Sequence, residues 1–169
     1  MKTKIMHHRN SFILAFLLFS FPMIGLTQSQ ERISEVNSFL DKWHEAAANA
    51  DSISYFKAIA EDGIYIGTDK TEVWTKQAFL VWASPYFKSG KTWKFKGENR
   101  HIYFSENGRF AWFDELVVSP TSEFRGSGVL VQTERGWQIK QYVLSVMVPN
   151  DIYREVDGLI KSFEAEKLK

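Results

Sequence analysis

Two neighbouring carboxylates, Asp114 and Glu115, interrupt the apolar stretch from Phe110 to Val118. Adjacent residues of a strand point to opposite faces, so one of the two must turn inward. Phe110, Trp112, Asp114, Leu116 and Val118 share one parity; Ala111, Phe113, Glu115 and Val117 share the other. Both rows are mostly apolar, so both faces of the strand are expected to be covered. A carboxylate among such neighbours has a raised pKa and can act as a general base or acid. Asp114 is the first choice for that base, with Glu115 lining the same site. His101, flanked by Arg100 and Tyr103 on the preceding strand, has the chemistry of a proton shuttle. Arg125 and Tyr142 are the positioning groups, and Trp43 and Tyr65 are candidate pocket walls. A plainer reading stands beside this one. In it Arg125 pairs with the acid as a structural ion pair, His101 is a hydrogen-bonded residue at a sheet edge, and the rings are core.

Other chemistries are absent from the 169 residues. There is no cysteine, which excludes disulfides, thiolate nucleophiles, iron–sulfur clusters and lipoprotein attachment. His44-Glu45 is followed by Ala48 where a zincin helix needs its second histidine. Gly126-Ser127-Gly128 lacks the glycine spacing of a nucleophile elbow, and paired glycines in mid-strand suggest a bulge or a close approach of another segment. No phosphate loop or dinucleotide fingerprint is present. Beyond residue 27 only His44 and His101 remain as histidines, too few for a dedicated zinc site without carboxylate help. Neither a metal nor a cofactor is expected.

The first segment reads as an address. Lys2, Lys4 and Arg9 precede an apolar run from Phe12 to Leu26, and Thr27-Gln28-Ser29-Gln30 is a polar exit. That is the pattern of a secretory signal peptide, assigned to residues 1–27, with Gly25-Leu26-Thr27 as the best cleavage match. The exported protein would be periplasmic or secreted, with no stable membrane anchor once the signal is gone. Removing the segment takes three positive charges and no negative one, which leaves 18 basic against 20 acidic residues, a net of −2. So balanced a chain is not expected to bind nucleic acid.

The elements that must position these residues follow from periodicity. Ile33, Val36, Phe39, Leu40, Trp43, Ala47 and Ala50 recur at steps of three and four, one face of a helix over about 30–49. Asp51 can cap a short second helix carrying Ile53, Phe56 and Ile59, and Thr75 a third carrying Phe79, Trp82 and Phe87, which Pro85 should end or kink. Between them Gly63–Gly67 is a short strand. After residue 90 the period falls to two. Strands are expected from Trp93 to Phe104, Phe110 to Val118, Phe124 to Thr133 and Trp137 to Val148, and Asn150 can cap a last helix. Helices followed by long strands joined by tight turns give an α+β fold, a curved antiparallel sheet wrapped around N-terminal helices.

Several stretches in this order carry a family resemblance: Tyr65-Ile66-Gly67-Thr68-Asp69 with Glu72-Val73-Trp74-Thr75, Arg100-His101-Ile102-Tyr103, Ala111-Trp112-Phe113-Asp114-Glu115, Arg125-Gly126-Ser127-Gly128-Val129-Leu130, and Trp137-Gln138-Ile139-Lys140-Gln141-Tyr142 running to Val148-Pro149-Asn150. Together they resemble the SnoaL-like branch of the nuclear transport factor 2-like superfamily, to which the ketosteroid isomerases belong. The resemblance implies a SnoaL-like domain over 30–152, a cone-shaped cystatin-like fold, and a homodimer through the outer face of the sheet; the helical extension over 153–169 goes past the usual motif of the family. It does not imply one activity, because the superfamily holds isomerases, polyketide cyclases, dehydratases, epoxide hydrolases and non-catalytic modules. The expected function is binding of a small, mostly apolar molecule inside the cone, in a pocket of roughly 300–1,000 Å³. Any catalysis would be proton transfer or addition–elimination without a cofactor. The alternative is a non-catalytic dimerisation or protein-interaction module whose core is filled by its own rings.

Overall fold

The computed structural model describes residues 22–167, with side-chain surroundings from residue 29 onward. Residues 1–21, most of the expected signal segment, lie outside the described residues. The chain divides into two compact units, the first ending at Glu35 and the second beginning at Val36. Helix α1, Pro22–Ala48, starts earlier than the apolar stripe alone suggests and contributes to both units. Within the first unit, residues 29–35 are exposed or half-buried.

The second unit holds the rest of the fold. Helix α2 (Ser52–Lys57) is capped as expected, its N-terminal Asp51 carboxylate accepting from the Ser54 amide at 3.0 Å. Strand β1 (Ile59–Ile66) takes in Ile59, which the periodicity had placed on α2. A short strand β2 (Val73–Thr75) follows, too brief to show a period of its own and fixed by its pairing with β1. Thr75 then caps helix α3 (Lys76–Ser89), which runs through Pro85 rather than ending there. The carbonyl that loses its donor belongs to Val81, whose side chain is well exposed, so water can satisfy it. Gly90, in the left-handed conformation at φ 68°, closes the helix.

Four long strands come next: β3 (Lys96–Phe104), β4 (Phe110–Val118), β5 (Glu123–Thr133) and β6 (Gly136–Val146). A 3₁₀ turn at Asn150–Ile152 leads into helix α4 (Tyr153–Lys167). The sheet order is β2-β1-β6-β5-β4-β3. The expected antiparallel sheet is present, every pair being antiparallel except β1 with β6, which is parallel. Tight turns enforce antiparallel pairing only between strands adjacent in the chain; β1 and β6 are separated by most of the domain.

One face of the sheet carries the core. Ala111, Phe113 and Val117 of β4, Leu130 of β5, and Ile139, Tyr142 and Leu144 of β6 form a single cluster with Val36, Leu40, Trp43 and Ala47 of α1 and Phe79, Ala83 and Phe87 of α3. Each large side chain withdrawn from water contributes roughly 1.5–3 kcal/mol. The rings stack in sequence: Phe79 lies 4.0 Å from Tyr65 and 5.5 Å from Trp74, and Tyr65 lies 5.5 Å from Tyr142.

Candidate functional site

The β4 alternation is resolved in favour of Glu115. Its side chain is fully buried, whereas that of Asp114 is 36% exposed on the opposite face. The placement of Asp114 inside is therefore corrected. His101 is corrected with it, being paired in register with Asp114 and 61% exposed. On that outer face Asp114 Oδ1 accepts from Arg125 Nη1 at 3.0 Å and lies 3.3 Å from His101 Nδ1. Arg125 is likewise a surface residue and is not part of the interior. The physical reason is size. The row that includes Glu115 also includes Ala111, and it faces Gly126 and Gly128 on β5, leaving room for helix side chains, while Trp112 and Phe110 stand outside.

Around Glu115 four elements converge. Oε1 accepts from His44 Nε2 at 2.8 Å and from the Tyr142 hydroxyl at 3.3 Å. Oε2 accepts from Arg100, with Nε at 2.9 Å and Nη2 at 2.7 Å, a two-pronged geometry that favours guanidinium over ammonium. Arg100 continues outward: Nη1 donates to Asn37 Oδ1 at 2.9 Å and Nη2 to Asp41 Oδ1 at 3.0 Å. Asn37, Asp41 and His44 lie at steps of four and three, one stripe of α1.

A bulge sets Arg100. Between Glu98 and His101 the β3–β4 register gains one residue, and Asn99 takes a positive φ of 46°. The extra residue brings Gly97 and Arg100 to the same side as Glu115. A Cβ at Gly97 would overlap Glu115 Oε2 and Arg100 Nη2, and one at Gly126 would lie 2.5 Å from the Tyr142 hydroxyl and 3.0 Å from Glu115 Cγ. The two glycines leave the space that the carboxylate fills.

Burial by itself would raise the Glu115 pKa, but the hydrogen bond and charge of His44, followed by Arg100, outweigh it and hold the group below its ordinary range. The expected raised carboxylate is therefore replaced by an ionised one. As an ionised carboxylate only accepts, His44 Nε2 carries the hydrogen. The Tyr142 hydroxyl is pushed well above its ordinary value, by burial first and then by the charge of Glu115. Burial also raises Tyr65 and Tyr55.

Trp43 sits over this cluster, its ring 5.1 Å from His44, 4.7 Å from Tyr142 and 5.0 Å from Tyr55. Its buried indole Nε1 has no hydrogen-bond partner, and the buried Tyr55 hydroxyl, beside Trp93, makes no well-formed hydrogen bond. Of the residues expected to build a site, the structure thus gathers Glu115, Tyr142 and Trp43, with Tyr65 behind Tyr142. It adds His44, Arg100, Asn37 and Asp41. His44 was detectable, since it stands four residues after Leu40 in the buried stripe. Arg100 depends on a bulge that no motif announces. Among the described residues no group of three or more His, Asp or Glu side chains could hold a metal, and no helix is long and apolar enough to cross a membrane.

Comparison with known proteins agrees with this fold. No curated protein is significantly similar to the chain. Solved structures share the fold at low identity. An NTF2-like protein of unknown function from Pseudomonas putida KT2440 has a TM-score of 0.60 at 14% identity, covering 72% of this chain and 90% of its own. An NTF2-like protein with a cystatin-like fold from Novosphingobium aromaticivorans gives 0.59 at 14%, covering 78% and 92%. A candidate scytalone dehydratase from Novosphingobium aromaticivorans gives 0.60 at 9%, covering 73% and 89%. The SnoaL-like domain family matches residues 36–149, the segment that supplies every group around Glu115, and the chain belongs to that family.

Proposed function

We propose that the protein is an exported SnoaL-like domain that binds a small, mostly apolar molecule beside Glu115, and that His44 and Glu115 together relay a proton in cofactor-independent acid–base chemistry. The observation that carries this reading is a fully buried carboxylate hydrogen-bonded to an imidazole and a guanidinium inside an aromatic wall. Two buried donors of that wall, Trp43 Nε1 beside His44 and Tyr142 and the hydroxyl of Tyr55 stacked on Trp43, are suited to a ligand oxygen. Glu115 fixes the Nε2 hydrogen of His44, which leaves Nδ1 as the nitrogen that can take a proton. Arg100 and Tyr142 hold Glu115 in place and are positioning residues. The dehydratase likeness is consistent with such chemistry at the level of fold.

A second reading concerns the outer face. Tyr103, Phe110 and Trp112 are exposed there, Tyr103 and Trp112 stacking at 5.9 Å. Such a patch suits a second copy of the chain. Both readings are tested by native mass spectrometry of protein purified from its own host. The interior reading expects a retained organic molecule that is lost in Trp43→Phe, and a processed N-terminus near residue 28. Protein that carries no ligand and takes up no aromatic or alicyclic probe overturns it. A monomeric mass at micromolar concentration overturns the second.

A further inference from the structure

A groove on the far side of the helices is built differently from the interior. α2 offers Ser52, Ile53, Phe56 and Lys57, and α3 offers Lys76, Leu80, Ser84, Phe87 and Lys88, around a cavity of ≈ 420 Å³. On α3, Lys76, Leu80, Ser84 and Lys88 recur at steps of four and form one stripe along the helix, with Phe87 beside it. The floor is apolar, from Ile53, Phe56, Leu80 and Phe87. Ile53 remains 80% exposed at its edge. The rim is cationic. Lys57 and Lys88 are exposed at the C-terminal ends of their helices, and Lys76 is largely covered, its Nζ 3.1 Å from Glu61, a carboxylate that is itself almost wholly in water.

We infer that this groove binds a free amphiphilic anion, a medium-chain carboxylate whose tail covers Ile53 and Leu80 and whose head is held by Lys57 and Lys88. Three observations argue for that occupant together. Ile53 and Leu80 leave part of the apolar floor in water, the rim carries three lysines with one solvent-held carboxylate among them, and the volume falls in the range of small-molecule sites. A neutral apolar guest would leave the lysines unused, and a cationic one would meet like charge. The site is separate from the Glu115 cluster and does not depend on how that cluster is read.

The test is a titration of the full chain with sodium decanoate below its micellar concentration, followed by amide chemical shifts, with decanol and decyltrimethylammonium as controls. Saturable shifts are expected at Ile53, Lys57, Leu80 and Lys88, with decanol at least ~10-fold weaker and the cation silent. The double variant Lys57→Glu with Lys88→Glu, both surface positions, should weaken decanoate ~10-fold or more and keep the thermal midpoint. The proposal is overturned if decanoate and decanol bind the groove equally, if the double variant binds as before, if the shifts fall instead at Trp43 and Tyr142, or if no residue responds.

Discussion

Replacing Glu115 tests the interior cluster most directly. Glu115→Gln keeps the shape, and the amide can still offer its oxygen to Arg100 and its NH₂ to the Tyr142 hydroxyl oxygen and to His44 Nε2, provided the imidazole moves its hydrogen to Nδ1. What is lost is the charge that two partners share. Hydrogen bonds to charged groups contribute about 1.5–3 kcal/mol against about 0.5–1.5 for neutral ones. The loss from two such contacts should therefore destabilise by about 2–3 kcal/mol. Glu115→Ala also removes the buried counter-charge of Arg100, whose side chain is only 5% exposed and which keeps Asp41 at the rim; breaking a buried pair costs about 3–5 kcal/mol, of which the remaining Asp41 contact leaves about 3. For a domain of this size that lowers Tm by roughly 10 °C, measurable by near- and far-ultraviolet circular dichroism with matched urea curves. The pH dependence has a definite sign. The folded pKa of Glu115 is lowered from 4.5, so the unfolded chain binds the extra proton first as pH falls. The stabilisation is complete above about pH 5 and fades below 4.5, towards the folded value. The gap between wild type and Glu115→Gln should then hold from pH 7 to about pH 5 and narrow below. A gap under about 0.5 kcal/mol at pH 7, or one indifferent to acid, would refute the buried, ionised pair.

Three further outcomes follow from the geometry. Asp114→Asn and His101→Ala, on the outer face, should each change stability by about 1 kcal/mol or less and leave ligand retention intact, as read by urea denaturation and native mass spectrometry. Gly126→Ala places a methyl group against Tyr142 and Glu115 and should destabilise by about 1–3 kcal/mol, with a tyrosine near-ultraviolet change as its signature. Gly90→Ala meets nothing within 4 Å but keeps φ at 68°, so only backbone strain of about 1 kcal/mol is expected in the same denaturation assay, with no change at the buried cluster.

The fold was legible where one period dominates. The α1 stripe, the Asp51 and Thr75 caps and the four long strands are local patterns, and β4 runs between the residues that its alternation marks. The parallel β1–β6 pair and the three-residue β2 were not legible, because both are decided by contacts between distant segments. At the site, composition narrowed the acid to two neighbours but could not choose between them, since both rows of β4 are apolar. The discriminating signal was Gly126 and Gly128 on the next strand, which make room on one face only. Arg100 required the bulge at Asn99, and its partners Asn37 and Asp41 lie on the edge of a helix stripe whose centre is apolar.

The contacts made by Glu115 and Arg100 also bear on how the chain reaches its native state. His44 and Glu115 are 71 residues apart, and Arg100 reaches back 63 residues to Asn37. A partly assembled sheet without α1 would leave that acid to Arg100, Tyr142 and water, without His44, so docking of the helix completes the pairing late, slow in the way that long loop closures are slow. Conversely, the first event of acid unfolding should be release of α1 from the strands, with hydrogen exchange rising along Asn37–His44 before it rises in β5.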